Sequence, residues 1–315
     1  MTEMLQSTRC LSVSVKGTGG LLVKPVCAVV GCGRVGVSLL FHLKRVGYPI
    51  CGVASRSEGS AERAAKAAEG VPFSTRASEV TQGADVVFIT TPDDTISEVS
   101  ESVSAEGGLK KGACMIHCSG SLPSTILTGV KEAGGEIGSM HPLQSFAGLD
   151  LKALSDNPFQ GIIVSVEGDE KPVALALAMA ADLGARGLTI ETHAKTMYHA
   201  AAVVASNCFV TVQDMAWKFI ADAGVSEEDA WSVLGPLIEG TLANIKRVGP
   251  VAALTGPVAR GDVATIDAHL EKIGEMQPKL APLYRALSLH MVDVARRKKS
   301  LTPEAEAALV KRLGG

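Results

Sequence analysis

At 315 residues the chain is long enough to bury a large core and to form two domains rather than one. Its net charge is −3, with both signs spread along the sequence and no long basic block, which argues against nucleic acid or an anionic membrane as a partner. Apolar stretches are interrupted by charge, as Asp182 interrupts 174–188, and none is long enough to span a bilayer. Hydrophobic residues reach 46% while aromatics are only 4%, a balance of Ala, Val, Leu and Gly that suits an α/β layer plus packed helices. The seven cysteines are odd in number, lack a C-x-x-C pair and fall mostly in apolar segments (Cys27, Cys51, Cys114, Cys208), reading as free thiols of a reducing cytosol. Residues 1–24 are rich in Ser, Thr and Gly and lack the apolar centre of a signal peptide; a poorly ordered extension with no part in a site is expected there.

In chain order, the first informative segment is Val26–Val30, five apolar residues that read as a strand buried on both faces. It runs into Gly31-x-Gly33-x-x-Gly36, after which Val37, Leu40, Phe41 and Leu43 carry helical spacing. Strand, glycine turn and helix in that order are what a dinucleotide-binding loop requires. Gly31 permits the tight turn, Gly33 lets a pyrophosphate approach the backbone, and Gly36 lets helix pack closely on strand. The helix N-terminus faces the phosphates with unpaired N–H groups. Gly31, Gly33, Arg34, Val35 and Gly36 are therefore candidate cofactor residues.

A second buried strand, 48–54, ends in Ser55-Arg56-Ser57. About 20 residues past the glycines an NAD site places a carboxylate on the ribose 2′-hydroxyl; here the first acid is Glu58. Arginine and hydroxyls at a strand tip suit a 2′-phosphate, so NADP is favoured over NAD, with Ser55, Arg56 and Ser57 as contacts. The plainer reading of Arg56 is a solvated loop arginine. An alanine-rich helix (61–69) and a short segment at 72–74 follow. The strand 85–94 breaks at Pro92 into a loop at the sheet's carboxyl edge, where Thr90, Thr91 and Pro92 either touch the cofactor or simply turn the chain. The strand 113–123 opens onto a Ser/Gly turn and a helix at Ser124, and 136–146 ends in the same way. Strands 161–166 and 187–191 bracket a helix at 172–183. This alternation predicts an α/β fold with a doubly wound, mostly parallel sheet over 25–192. From His193 the pattern is all-helical: one long helix (193–223), then 227–247, 263–273, 278–298 and 303–313, with a glycine- and proline-punctuated loop at 249–262. The second domain is expected to be 193–315.

A nicotinamide enzyme moves hydride on its cofactor, so the protein must hold the substrate carbon, polarise its oxygen or nitrogen and anchor the rest. Three places offer this. On the long helix, Lys195, His199 and Asn207 fall on one stripe. His199 titrates in the useful range and Asn207 can orient a carbonyl; the alternative is a hydrogen-bonded core histidine and asparagine. In Ser139–Ser145, His141-Pro142 sits at a strand's carboxyl end, held by the proline, with Gln144 beside it. His117–Ser121 shares that edge; His117 reads as packing sideways, whereas Ser119 and Ser121 can donate to a carboxylate or carboxamide. Third, Arg260 can clamp a substrate carboxylate, or stand exposed while Asp262 caps the next helix. The histidines are scattered and lack a carboxylate cluster, so no metal site is expected.

Behind the glycine motif come, in order, His117-Cys-Ser-Gly-Ser121, His141-Pro-Leu-Gln-Ser145, Tyr198-His-Ala-Ala201 running to Ser206-Asn207, and Gly256-Pro-Val-Ala-Arg-Gly-Asp262. With them the chain resembles the 6-phosphogluconate-dehydrogenase-like superfamily, which joins an N-terminal Rossmann domain to an all-α second domain and includes ketopantoate and pyrroline-5-carboxylate reductases. The resemblance is closer to a bacterial group of Rossmann-like oxidoreductases with a C-terminal domain of unknown function, and it runs from about residue 25 to 315. It implies NADP-linked reduction of a small carbonyl or imine acid, and homodimers formed largely through the helical domain; a cytoplasmic setting is what the free thiols suggest. A branch of that group is held to reduce ketopantoate, which makes a 2-oxo acid of that kind the lead substrate. A cyclic imine such as pyrroline-5-carboxylate is the same-class alternative, and a deazaflavin-linked reductase a weaker one. On this reading His199, His141, Asn207 and Lys195 are the catalytic candidates, and Ser119, Ser121, Gln144 and Arg260 hold substrate. The chain departs from the β-hydroxyacid dehydrogenases, which place Lys-x-x-x-Asn where Lys195-x-x-x-His199 stands, so a lysine-acid mechanism does not carry over. The rival of another class is an NADP-binding sensor without turnover.

Overall fold

The computed structural model describes residues 23–146 and 156–314; all but the end of the expected extension over 1–24 lies outside the described residues. Contacts divide the chain into two compact units, the first ending at Val203 and the second starting at Val204. That division falls later than the change of pattern at His193, because the side chain of Lys195 is bonded into the first unit.

The first unit holds one eight-stranded sheet: β1 (Cys27–Val30), β2 (Ile50–Ala54), β3 (Phe73–Ser74), β4 (Val86–Ile89), β5 (Cys114–His117), β6 (Glu136–Pro142), β7 (Ile163–Gly168) and β8 (Arg186–Thr189). Their order is β3-β2-β1-β4-β5-β6-β7-β8. Every neighbouring pair is parallel except β6 and β7. The chain reverses its direction across the sheet between β1 and β4, and ligands of such sheets bind at that switch point, beyond the carboxyl ends of the strands. The helices are α1 (Arg34–Arg45), α2 (Glu58–Ala67), α3 (Ala77–Thr81), α4 (Ile96–Ala105) and α5 (Glu170–Asp182).

Strand alternation sends successive side chains to opposite faces, and both faces are covered. On one, Val29, Phe88, Ile116 and Met140 pack with Leu39, Leu40 and Leu43 of α1 and Met179 of α5. On the other, Val30, Ile89 and Met115 pack with Val80 of α3 and with Ile96 and Val103 of α4. The helix expected at Ser124 is only a 3-10 turn, Ser124–Ile126. Pro123 precedes it and Gly129, at φ +75°, soon follows, so the segment never sustains a helical run.

The long helix expected over 193–223 is interrupted. A 3-10 turn (Thr192–Ala194) leads into α6 (Lys195–Val203), a π turn occupies Val204–Cys208, and α7 (Phe209–Asp222) continues. The π turn carries an extra residue and breaks the expected stripe: Lys195 is buried, whereas Asn207 lies within the π turn and is exposed.

The second unit contains α7, α8 (Ala230–Ala253), α9 (Pro257–Arg260), α10 (Val263–Met276), α11 (Ala281–Lys298) and α12 (Pro303–Leu313) around a small core of Val258, Ile266, Val292, Leu309 and Leu313. The expected loop at 249–262 is more ordered than its glycines and prolines suggest. Gly249, at φ 75°, breaks α8 ahead of Pro250, and α9 forms one turn with Pro257 at its start. Asp262 caps α10, its carboxylate accepting the Thr265 N–H at 3.1 Å. No helix among the described residues is long and apolar enough to cross a membrane.

Candidate active site

The glycine turn after β1 is shaped by close approaches. Gly31 sits at φ +106°, and a Cβ there would fall 2.6 Å from the Thr90 carbonyl carbon; a Cβ on Gly36 would fall 2.0 Å from the Gly31 carbonyl oxygen. Gly33 differs: a Cβ there would meet nothing within 4 Å. Its missing side chain leaves open space in front of the N-terminus of α1, which has no side-chain cap and no acid in its first turn. Unpaired N–H groups facing open space fit a pyrophosphate. Thr90 serves the turn itself, its hydroxyl donating to the Gly31 carbonyl at 2.5 Å. Thr91, at the same strand end, donates to the Pro92 carbonyl. Val35 lies half-buried in the first turn of α1.

Beside this turn lies a cavity of about 290 Å³, lined by Cys32, Gly33, Arg34, Val37, Ser60, Arg63 and Ala64. Two of its lining groups were not singled out in the sequence: Arg63, one and a half turns into α2, and Ser60. The Arg63 guanidinium donates to the Ser60 hydroxyl at 3.1 Å, and Ser57 and Ser60 are hydrogen-bonded at 2.8 Å. Ser55 lies at the end of β2 and Arg56 is exposed; neither lines this cavity. The cations that line this cavity are thus Arg34 and Arg63.

At the carboxyl ends of β5 and β6 the chain brings two histidines together. His141 is the last residue but one of β6, just before Pro142, and His199 lies on α6. Their rings are 6.0 Å apart and nearly perpendicular. Both close over Gly120, where a Cβ would fall 2.6 Å from His199 Nδ1 and 2.7 Å from His141 Nε2. The Tyr198 hydroxyl stands 3.4 Å from His141 Nδ1. Burial, reinforced by the Lys195 ammonium and His199, pulls the His141 imidazole down to about 4. His199 Nδ1 is buried without a protein partner.

Ser119 and Ser121 flank Gly120, and both hydroxyls donate to the same oxygen of Asp93, each at 2.8 Å. Asp93 was missed in the sequence, although it follows Pro92 at the carboxyl edge already singled out. His117 accepts the Ser119 N–H at 3.1 Å, and burial, followed by the Lys195 charge, lowers it to about 4.

Behind the histidines lies a buried ion pair. Lys195 and Glu167 have side chains 1% and 2% exposed and approach to 3.3 Å. The lysine also donates to the Ser139 hydroxyl, and the carboxylate accepts from the Ser124 N–H, the Ser124 hydroxyl and the Thr192 hydroxyl. Burial depresses the Lys195 ammonium, and Glu167 opposes that shift. The lysine therefore points into the sheet. Gln144 is exposed, its side-chain oxygen accepting the Ser145 N–H. Asn207 and Arg260 are exposed residues of the second unit, Arg260 closing α9.

Two family models match parts of the chain. A Rossmann-like domain model matches residues 22–142, and a model for a domain of unknown function, DUF2520, matches residues 162–291. This pairing fits the superfamily that the motifs resemble. No curated protein sequence matches the chain. Among solved structures, the chain is similar to a Bacteroides fragilis protein provisionally assigned as an NADP oxidoreductase, at 25% identity over 84% of this chain and 96% of that one, with a TM-score of 0.70. A Thermotoga maritima protein is similar at 27% identity over 87% and 99%, with a TM-score of 0.65. A pyrroline-5-carboxylate reductase from Coxiella burnetii shares the fold at 15% identity over 91% and 97%, with a TM-score of 0.52.

Proposed function

We propose that the chain is an NADP-dependent oxidoreductase that reduces a small 2-oxo acid of the ketopantoate kind. The observation that carries this reading is the imidazole pair closed over Gly120, on the same sheet edge as a glycine turn whose Gly33 faces open space. When bound, NADPH supplies the hydride. The glycine turn and the N-terminus of α1 hold its pyrophosphate, and Arg34, Arg63 and Ser60 hold its 2′-phosphate. His199 gives the proton to the oxygen that the reduction turns into a hydroxyl. His141, uncharged at neutral pH, hydrogen-bonds the same oxygen, and Tyr198 orients its ring. Ser119 and Ser121 anchor the carboxyl end of the substrate, with Gln144 as a further candidate contact.

One observation favours a cyclic imine instead. Both serine hydroxyls are already engaged by Asp93, and a carboxylate at that place attracts a protonated C=N, whereas the uncharged C=O of a 2-oxo acid offers it no such partner. The similarity in fold to a pyrroline-5-carboxylate reductase is in keeping with this alternative.

For self-association, the supporting observation is the set of apolar side chains exposed around α8: Trp231 at 55%, Leu237 at 68% and Leu242 at 50%. We read these as the surface on which two copies pair. Light scattering of the full chain is expected to give a dimer, and Leu237→Asp a monomer.

The reaction is tested by following NADPH oxidation over a panel of 2-oxo acids and cyclic imines. Turnover of ketopantoate or of pyrroline-5-carboxylate fixes the substrate class. Tight NADPH binding without turnover of any panel member, and with His199→Ala indistinguishable from the parent, favours the sensor.

A further inference from the structure

A buried ammonium–carboxylate pair is a poor source of stability compared with an apolar pair of the same volume, so its presence asks for another reason. The cross-strand partners His117, Ser139 and Glu167 form one polar row across β5, β6 and β7, none more than 2% exposed. Lys195 lands on that row through Ser139 and Glu167. The Glu167 carboxylate ties down three further pieces of chain: the turn at Ser124 beyond the Ser119–Ser121 loop, the turn at Thr192, and the first residue of α6. Tyr198 and His199 follow Lys195 by three and four positions and so share its side of the helix. Ser139 and His141 share one face of β6.

We propose that Lys195 is a positioning residue and not a proton donor: its buried pair with Glu167 locks α6 onto the β5–β7 row and thereby fixes Tyr198 and His199 against His141 above Gly120. The inference rests on the reading of His141 and His199 as the reacting groups. The lysine also acts through its charge. The titratable and charged groups that bear on His141 are Lys195, Tyr198 and His199 from α6 and Asp93 after β4, while His117 and Cys118 at the end of β5 and Glu167 on β7 interact with Lys195 itself. Of these, Lys195 is the strongest influence holding His141 unprotonated after burial itself.

The test is NMR titration of the histidine rings in the full chain, comparing the parent with Lys195→Met/Glu167→Gln. The double substitution removes both charges at once, so neither is left buried alone. In the parent, the His141 midpoint is expected more than about one pH unit below that of an ordinary histidine. In the double variant it rises by about half a unit or more, and the His141–His199 ring contacts weaken. A parent midpoint at the ordinary value, or an unmoved midpoint in a folded double variant, overturns the proposal. If the double variant does not fold, the parent midpoint and Lys195→Arg decide: a folded Lys195→Arg that keeps a low His141 midpoint but loses all NADPH oxidation makes the lysine the donor and overturns positioning. The titration needs neither nucleotide nor substrate. Its failure is therefore distinct from failure of the oxidoreductase reading, which falls if no nucleotide binds.

Discussion

The glycine turn after β1 and the histidine pair at the ends of β5 and β6 lie on the same edge of one sheet, yet they are built in opposite ways. The turn is made of backbone: three glycines within six residues, each required by a local approach or an open space. The histidine site is made of side chains from separated segments, Asp93, Ser119, His141 and His199, assembled by topology and held from behind by Lys195 and Glu167. A site of the first kind is vulnerable to added volume. One of the second kind is vulnerable to the loss of a distant charge.

The largest expected effect breaks the second region. Lys195→Met alone leaves the Glu167 carboxylate buried without its counterion, and a stability loss of about 3–5 kcal/mol is expected in urea unfolding, against a much smaller one for Lys195→Met/Glu167→Gln. Acid exposes the same construction. His117 and His141 sit at about 4 in the folded chain against 6.5 for an ordinary histidine. Between those values the unfolded chain binds protons that the folded chain refuses. The contribution is therefore complete above pH 6.5 and drains as pH falls toward 4, on the order of a few kcal/mol for the pair; a flat unfolding midpoint over that window contradicts the burial of both rings. Next comes the chemistry. His199→Ala is expected to lower kcat by about a hundredfold, roughly 2.7 kcal/mol, with NADPH affinity unchanged. Gly120→Ala, which forces both rings aside, should resemble it. The smallest effect sharpens the first region: Arg63→Ala is expected to weaken NADPH by about tenfold and leave NADH alone, whereas Arg56→Ala changes either by less than about twofold.

The difference also explains what was legible in the sequence. A backbone site is local, so the run Val26–Gly36 specified strand, turn and helix together. The first unit's alternation likewise announced the sheet, although not the antiparallel turn from β6 to β7, where no helix joins the strands in the described residues. His199 stood out as a polar residue on an otherwise apolar helix, and His141, Ser119 and Ser121 as residues at the carboxyl edge of the sheet; the structure brings them together around Gly120. Asp93 and Glu167 did not stand out, because their roles come from elements far away in the chain. A signal was nevertheless present for Glu167: in Ile163–Gly168 it occupies an alternating inward position with Ser165, where a carboxylate has to find a partner. Arg63 escaped notice because helical geometry, not distance along the chain, returns it to the glycine turn. The π turn at Val204–Cys208 has no comparable signature in its apolar spacing, so Asn207 was placed on a stripe that the helix does not maintain.

The most direct measurement is NADPH binding by the parent and by Gly33→Val, alongside their melting temperatures. Gly33 has φ −76° and ψ −173°, a conformation open to any residue, and free space at its Cβ position. The substitution should therefore leave the melting temperature unchanged while weakening NADPH by about a hundredfold or more, since the added methyls occupy the place of the pyrophosphate. A Gly33→Val protein that binds NADPH as the parent does, or a parent that binds neither NADPH nor NADH, contradicts a dinucleotide site at this turn.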